Sequence, residues 1–178
     1  MRILLCIVDR FLQFLAERLM NEVLDAVGRE GPVLDLYCGS GLFSLPLAAA
    51  GRQVVGVEEN RQAVRDAEAN QRINRIPSDR VRFIASRVEE VVDSVGRGRW
   101  DTVVLDPPRQ GCSARVLDGV FRHLAAPRVV YVSCNLETLV SELPGVLAAG
   151  YRVRRVQGVD MFPHTEHIET VVTLDRTG

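Results

Sequence analysis

A thiol, Cys134, closes the apolar run Tyr131-Val-Ser-Cys134-Asn135, and a carboxylate, Glu169, returns downstream in Asp160-Met-Phe-Pro-His-Thr-Glu-His-Ile-Glu169. A cysteine nucleophile with a distant carboxylate base, set behind a glycine-rich loop, suits methylation of an unactivated pyrimidine carbon. Carbon C5 of uracil is too weak a nucleophile to take a methyl group unaided. Addition of a thiolate at C6 makes C5 enolate-like. A base must then remove the C5 proton so that the cysteine can leave, a contribution of typically ~10²–10⁴-fold. A buried cysteine is more often inert packing. Cys134 differs in following Ser133, preceding Asn135 and standing at the exit of a strand beside that of Asp106, at the sheet edge. Its free pKa of ~8.5 would be lowered by a nearby arginine or a helix N-terminus. Glu169 is its natural partner, reached through the turn Phe162-Pro163-His164, and apolar Met161 and Ile168 would raise its proton affinity.

Asp106-Pro107-Pro108-Arg109-Gln110-Gly111 follows another apolar run. The prolines stiffen the backbone and hold Asp106 at the carboxyl end of a strand, where open α/β sheets bind ligands. A rigid turn with a capping Asp is the plainer reading. Amino-directed methyltransferases place an aromatic ring fourth in such a tetrad, and here the fourth residue is Arg109.

A second cluster lies upstream. Asp35-Leu-Tyr37-Cys-Gly39-Ser-Gly41 follows a strand and opens a helix, where glycines admit a ligand close to the backbone and free N–H groups face it. The dinucleotide fingerprint needs a third glycine where Ser44 stands, which disfavours a nicotinamide dehydrogenase. The next strand ends at Glu58, a carboxylate able to accept from both hydroxyls of a ribose. The pair of features points to a nucleoside cofactor.

The elements that must position these residues alternate. Val33–Tyr37, Gln53–Glu58, Val81–Ala85, Thr102–Leu105 and Val129–Ser133 read as buried strands. Leu42–Ala50, Arg61–Asn74, Ser113–Ala125 and Leu136–Ala149 read as helices, with a weaker one around Val88–Val95 and a leading one over Phe11–Val27. Tyr151–Val159 and Ile168–Leu174 form two strands with no long helix between them. The expectation is a doubly wound, Rossmann-like α/β sheet, mostly parallel with an antiparallel C-terminal strand and helices on both faces. One domain spans 1–178, as a leading helix over 10–28 and a sheet core over 32–178.

Composition sets the bounds. With 178 residues, 47% hydrophobic and 25% charged, the chain is globular. The net charge of −1 leaves no basic excess for unaided nucleic-acid binding, although all 22 basic residues are arginine. Cys6, Cys38, Cys112 and Cys134 show no metal-ligand spacing and read as reduced thiols of a cytoplasmic protein. The apolar run Met1–Val8 is followed by Asp9-Arg10 and lacks a cleavage-type region, and no stretch reaches the ~18–20 apolar residues of a membrane span. His164 and His167 flank Glu166 beside Glu169, but no further cluster supports a metal, and none is expected.

The acidic-glycine loop is similar to that of class I S-adenosylmethionine-dependent methyltransferases. That likeness implies Gly39 and Gly41 at the methionine end, Asp35 near its ammonium, Glu58 on the ribose, and Tyr37 and Asp106 in the cofactor site. Taken together, D-L-Y-C-G-S-G, V-G-V-E, L-D-P-P-R-Q-G, Y-V-S-C-N and D-M-F-P-H-T-x-H-I-E resemble the RNA uracil-C5 methyltransferases, which make 5-methyluridine in transfer or ribosomal RNA. The resemblance runs from about Phe11 onward. It implies Cys134 as nucleophile, Glu169 as base and Asp106 as a uracil-contacting or catalytic-loop residue. Gln13 matches the glutamine of the family's F-x-Q-x-N cofactor segment.

The chain departs from the family pattern at Leu15, for Asn, and at Leu136, for the Pro after S-C-N. It also has Arg87, with Ser86 and Glu89 nearby, where Asp or Asn meets the adenine amino group. Family members carry an N-terminal RNA-binding barrel and a central insertion before the catalytic domain. The chain therefore reads as the catalytic domain alone, as a fragment, a mis-assigned start, a stand-alone enzyme, a decayed paralogue or a subunit with an RNA-binding partner in trans. Alternative functions are an amino-directed nucleic-acid methyltransferase and a cofactor-binding module of low or partner-dependent activity.

Overall fold

A computed structural model describes residues 10–96, 99–160 and 168–178, with backbone alone for 10–14. The chain opens with α1 (Arg10–Val27). The alternation then runs β1 (Val33–Leu36), α2 (Ser44–Ala49), β2 (Val54–Glu58), α3 (Arg61–Ile73), β3 (Val81–Ala85), α4 (Val88–Ser94) and β4 (Thr102–Leu105). It continues with α5 (Ala114–Asp118), β5 (Arg128–Ser133), α6 (Leu136–Ala148), β6 (Tyr151–Asp160) and β7 (Ile168–Arg176). Every element expected from the sequence is present. The helix expected over Ser113–Ala125 is the one that changes character, since α5 passes into a wider π-type turn at Gly119–Leu124. Gly119 packs there against Val92, where a Cβ would collide.

The seven strands form one sheet in the order β3-β2-β1-β4-β5-β7-β6. Strands β1 to β5 run parallel, and β7 inserts antiparallel between β5 and β6. Cys134 therefore follows an interior strand. The edge it occupies is the one formed by the strands' carboxyl ends, not a lateral edge.

Alternation assigns each side chain to a face. Leu34, Leu36, Leu105, Tyr131 and Leu174 join α4 to α6 in one buried core. Val33, Val104, Val130, Val132 and Val171 face α1 and α2 in the other. Both faces are covered, which is why β1 and β4 are buried at every position.

At the amino ends of the strands Arg52, 3% exposed, closes the end of α1. Its Nε donates to the Gly31 carbonyl at 2.7 Å and its Nη1 to that of Gly28 at 2.5 Å. Gly31 must be glycine, because its φ is +74° and a Cβ would fall on the Asp101 carboxylate. Arg52→Ala is expected to lower stability by about 2–3 kcal/mol, the scale of two charge-assisted bonds. Denaturant unfolding would read this, and a loss under ~0.5 kcal/mol would show that the two bonds contribute little to stability.

Candidate active site

The register brings the candidate residues to one place. Asp35 lies between Leu34 and Leu36 of the α4–α6 face and so points to the opposite, α1–α2 face. Asp106 follows Leu105, which pairs with Tyr131, so it shares the face of Val132 and, two residues on, of Cys134. Ser133 pairs with Thr170, one step short of setting Cys134 opposite Glu169. Thus Asp35, Asp106, Cys134 and Glu169 lie on one face of the sheet, at or near its carboxyl ends. The mutual electrostatic influence of Glu169 on both Asp106 and Cys134 is the result.

The glycine loop sits where the strand order reverses, between β1 and β4. Open α/β sheets bind ligands at that crevice. Tyr37 takes a left-handed conformation with φ 64°, followed by Gly39 at 52° and Gly41 at 91°. A Cβ at Gly39 would stand in open space, so the loop leaves room above its own backbone. From α3, buried Asn70 donates to the Ser40 carbonyl at 3.2 Å and steadies the loop. Glu58 caps the crevice: its Oε2 accepts from Gly39 N at 3.1 Å and its Oε1 from Asn60 N at 2.8 Å. A carboxylate has about four acceptor sites, so both oxygens keep capacity for a ligand. Gln13 lies in α1 by its backbone, and its side chain is outside the described residues.

Electrostatics set this end of the sheet apart. Burial pushes the Asp35 carboxyl up to about 7, against hydrogen bonds from Ser44 and with a smaller push from Glu58. Ser44 Oγ donates to Asp35 Oδ2 at 2.5 Å, while Asp35 Oδ1 is buried without a hydrogen-bond partner. Burial, then Glu169 and Asp35, push Asp106 up to about 8.

Cys134 contradicts the expectation of a depressed pKa. It starts the approach to α6, whose N-cap is Asn135, and Arg109 does favour its thiolate. Burial and the Glu169 carboxylate outweigh them, and the thiol lies above its ordinary value. In the free protein, alkylation of Cys134 should follow a pKa above that of an ordinary thiol. Glu169→Gln should move that profile down, because it removes a negative charge that disfavours the thiolate. Iodoacetamide rates against pH, read by mass spectrometry, would check this; an unmoved profile would separate the two groups.

Some positions lie outside the described residues: Met161, Phe162, Pro163 and His164, where a turn is expected, Glu166 and His167. Among the described residues no cluster of His, Cys, Asp and Glu could hold a metal ion. No described helix is long and apolar enough to cross a membrane.

Several contributors escaped the sequence reading. Ser44 entered only as a missing glycine, yet it holds Asp35. A cavity of about 350 Å³ opens beside the crevice, lined by Tyr37, Glu59, Arg87, Glu89, Pro108 and Cys112 among others. Arg87 and Glu89 thus line this cavity and pair loosely at 3.8 Å, whereas the Ser86 hydroxyl is turned to Glu90 at 2.7 Å. Glu142 of α6 also reaches this region, through Cys112 N. A carboxylate one turn from buried Leu139 and Val146 was the available signal.

A sheet of this order, with an acidic glycine loop after β1 and a carboxylate ending β2, defines a class I methyltransferase fold. Magnesium protoporphyrin IX methyltransferase from Synechocystis, with bound S-adenosylmethionine, shares that fold at TM-score 0.69 and 18% identity, over 94% of this chain and 81% of that one. The chain belongs to the tRNA (uracil-5-)-methyltransferase family, which matches residues 11–177. That family is S-adenosylmethionine-dependent. An uncharacterized RNA methyltransferase of Gloeobacter violaceus is 46% identical over 160 residues, which are 90% of this chain and 34% of that protein. The tRNA (uracil-54, C5)-methyltransferase of Pyrococcus abyssi, in complex with S-adenosyl-L-homocysteine, matches at TM-score 0.78 and 34% identity, over 89% of this chain and 38% of that one. The chain spans about a third of the length of the curated relatives it matches.

Proposed function

We propose that the chain is the catalytic domain of an RNA methyltransferase that transfers a methyl group from S-adenosylmethionine to C5 of a uridine in transfer or ribosomal RNA, through a covalent Cys134–C6 adduct. The observation that carries this reading is the meeting of Cys134, Glu169 and Asp106 at the ends of three adjacent strands, β5, β7 and β4. That cluster adjoins the crevice under the glycine loop.

The residues suit the cofactor. Asp35 Oδ1 is an orphaned buried acceptor for its ammonium or a bridging water. Gly39 leaves the space that a side chain would fill. Glu58 would hold the ribose, and the cavity between Glu59, Arg87 and Pro108 would take the base. When bound, S-adenosylmethionine supplies an electrophilic methyl group.

Cys134 attacks C6 of uracil as the thiolate, its proton having passed to solvent water. The S–C6 bond forms and C5 gains the electron pair with which it takes the methyl group. Asp106 stands beside Cys134 and Glu169 as a contact for the uracil ring. Glu169 then takes the C5 proton, the C6–S bond breaks, and the thiolate leaves. The uridine must be extruded or single-stranded to reach Cys134.

Net charge −1 supplies little of the phosphate neutralisation that drives RNA binding, so a partner domain, in the same or another chain, carries most of the affinity. The setting is the cytoplasm, and no metal takes part.

The test is RNA containing 5-fluorouridine, incubated with the protein and S-adenosylmethionine and run on a denaturing gel. Fluorine at C5 cannot leave as a proton does, so the adduct stalls. A shifted band that requires cofactor and vanishes in Cys134→Ala is the expected result. Amino-group methylation that survives Cys134→Ala would instead favour chemistry at Asp106-Pro107-Pro108. Cofactor binding without an adduct on any RNA, even with a partner domain added, would leave a cofactor-binding module.

A further inference from the structure

The loop from Asp106 to Cys112 lines both the reacting centre and the cavity beside it, and α6 with its N-cap holds that loop through three hydrogen bonds. Asn135 Nδ2 and Thr138 Oγ1 donate to the Arg109 carbonyl at 3.3 and 3.4 Å. Glu142 Oε1 accepts from Cys112 N at 2.8 Å. The other oxygen of Glu142 accepts from Tyr131 Oη at 2.7 Å, and Tyr131 is a buried residue of β5, three before Cys134. Positions 135, 138 and 142 form one stripe of the helix. Gly111 lets the loop come this close: its φ is +80°, and a Cβ would collide with Glu142 Oε1 and Thr138 Cγ2.

We propose that Glu142 is a positioning residue, which fixes the Asp106–Cys112 loop against Cys134 and so shapes the wall of the cofactor cavity. Its two oxygens work in different directions, one on the loop and one on the strand that ends at the nucleophile. An apolar side chain would pack as well as its neighbours Leu139 and Val146, but would tie neither. The inference rests on the proposed function only for its effect on adduct formation. The effect on the cavity stands apart from the RNA reading.

The test compares S-adenosyl-L-homocysteine affinity, by calorimetry, and melting temperature across wild type and five variants. Glu142→Ala is expected to weaken binding about tenfold, the scale of one buried hydrogen bond to a charged group. Glu142→Gln keeps an acceptor for Cys112 N, and the Tyr131 hydroxyl can turn to accept, so binding should stay within about threefold of wild type. Tyr131→Phe removes the strand tie but leaves the loop bond, so its loss should be smaller than that of Glu142→Ala. Gly111→Ala moves the same loop and should mimic Glu142→Ala, with the double variant falling short of additivity. Wild-type affinity in Glu142→Ala, with only the melting temperature lowered, would overturn the proposal. So would a loss in Tyr131→Phe equal to that in Glu142→Ala.

Should Glu142→Ala fail to fold, Thr138→Val and Gly111→Ala carry the test, and unchanged binding in both would overturn it. With cofactor saturating, Glu142→Ala should also form the 5-fluorouridine adduct more slowly, and Glu142→Gln should restore the rate. Absence of an adduct in the wild type would count against the uridine reading and leave the affinity comparison standing.

Discussion

Glu169→Gln is expected to arrest the proposed reaction with the RNA still attached to Cys134, on ordinary uridine and without fluorine. The amide cannot take the C5 proton, so the C6–S bond has no route to break. Attack is not impaired by the change, because loss of the Glu169 charge favours the Cys134 thiolate. The adduct therefore forms and accumulates, with release slowed by ~10²–10⁴-fold as for the loss of a positioned base. A denaturing gel would show a persistent protein–RNA band with Glu169→Gln and none with the double variant Cys134→Ala, Glu169→Gln. Turnover at the wild-type rate would pass the role of base to another group, with Asp106 the next to try.

The sequence made most of this framework legible because two signals agreed. Continuous apolar runs such as Thr102–Leu105 could only be strands covered on both faces, and they alternated with amphipathic stretches. The motif residues then fell at strand ends, where parallel sheets gather function. Strand order was less legible. Nothing local in Ile168–Arg176 says that it inserts between β5 and β6, and that insertion is what sets Glu169 near Cys134.

Long-range electrostatics were the least legible of all. A helix cap beside Cys134 is visible in the sequence and argues for an acidic thiol. Burial and the carboxylates that oppose it come from β4 and β7, far along the chain. Glu142 was hidden for the same reason, since its partners Cys112 and Tyr131 lie 30 and 11 residues away.

Affinity for S-adenosylmethionine is expected to rise with pH between about 6 and 8.5, and more steeply than affinity for S-adenosyl-L-homocysteine. Asp35 and Asp106 titrate near 7 and 8 in the folded protein, each raised first by burial and then by neighbouring carboxylates. An unfolded aspartate titrates near ~3.9, so between these values the folded chain holds protons that the unfolded chain releases. Stability of the free protein therefore falls as pH rises through that window, and it is greatest toward the acid side as far as these two groups decide. Asp106→Asn should flatten the fall in melting temperature.

A cationic ligand acts with the opposite sign. Positive charge in the crevice favours ionised carboxylates, so binding expels protons and strengthens as pH rises, by at most about tenfold per pH unit for each proton released. The homocysteine product lacks the sulfonium charge and releases fewer. Calorimetry in two buffers of different ionisation enthalpy counts those protons directly. Equal slopes for the two ligands would place the sulfonium away from Asp106. A steeper slope for the methyl donor, lost in Asp106→Asn, would place it beside the same carboxylate that adjoins Cys134.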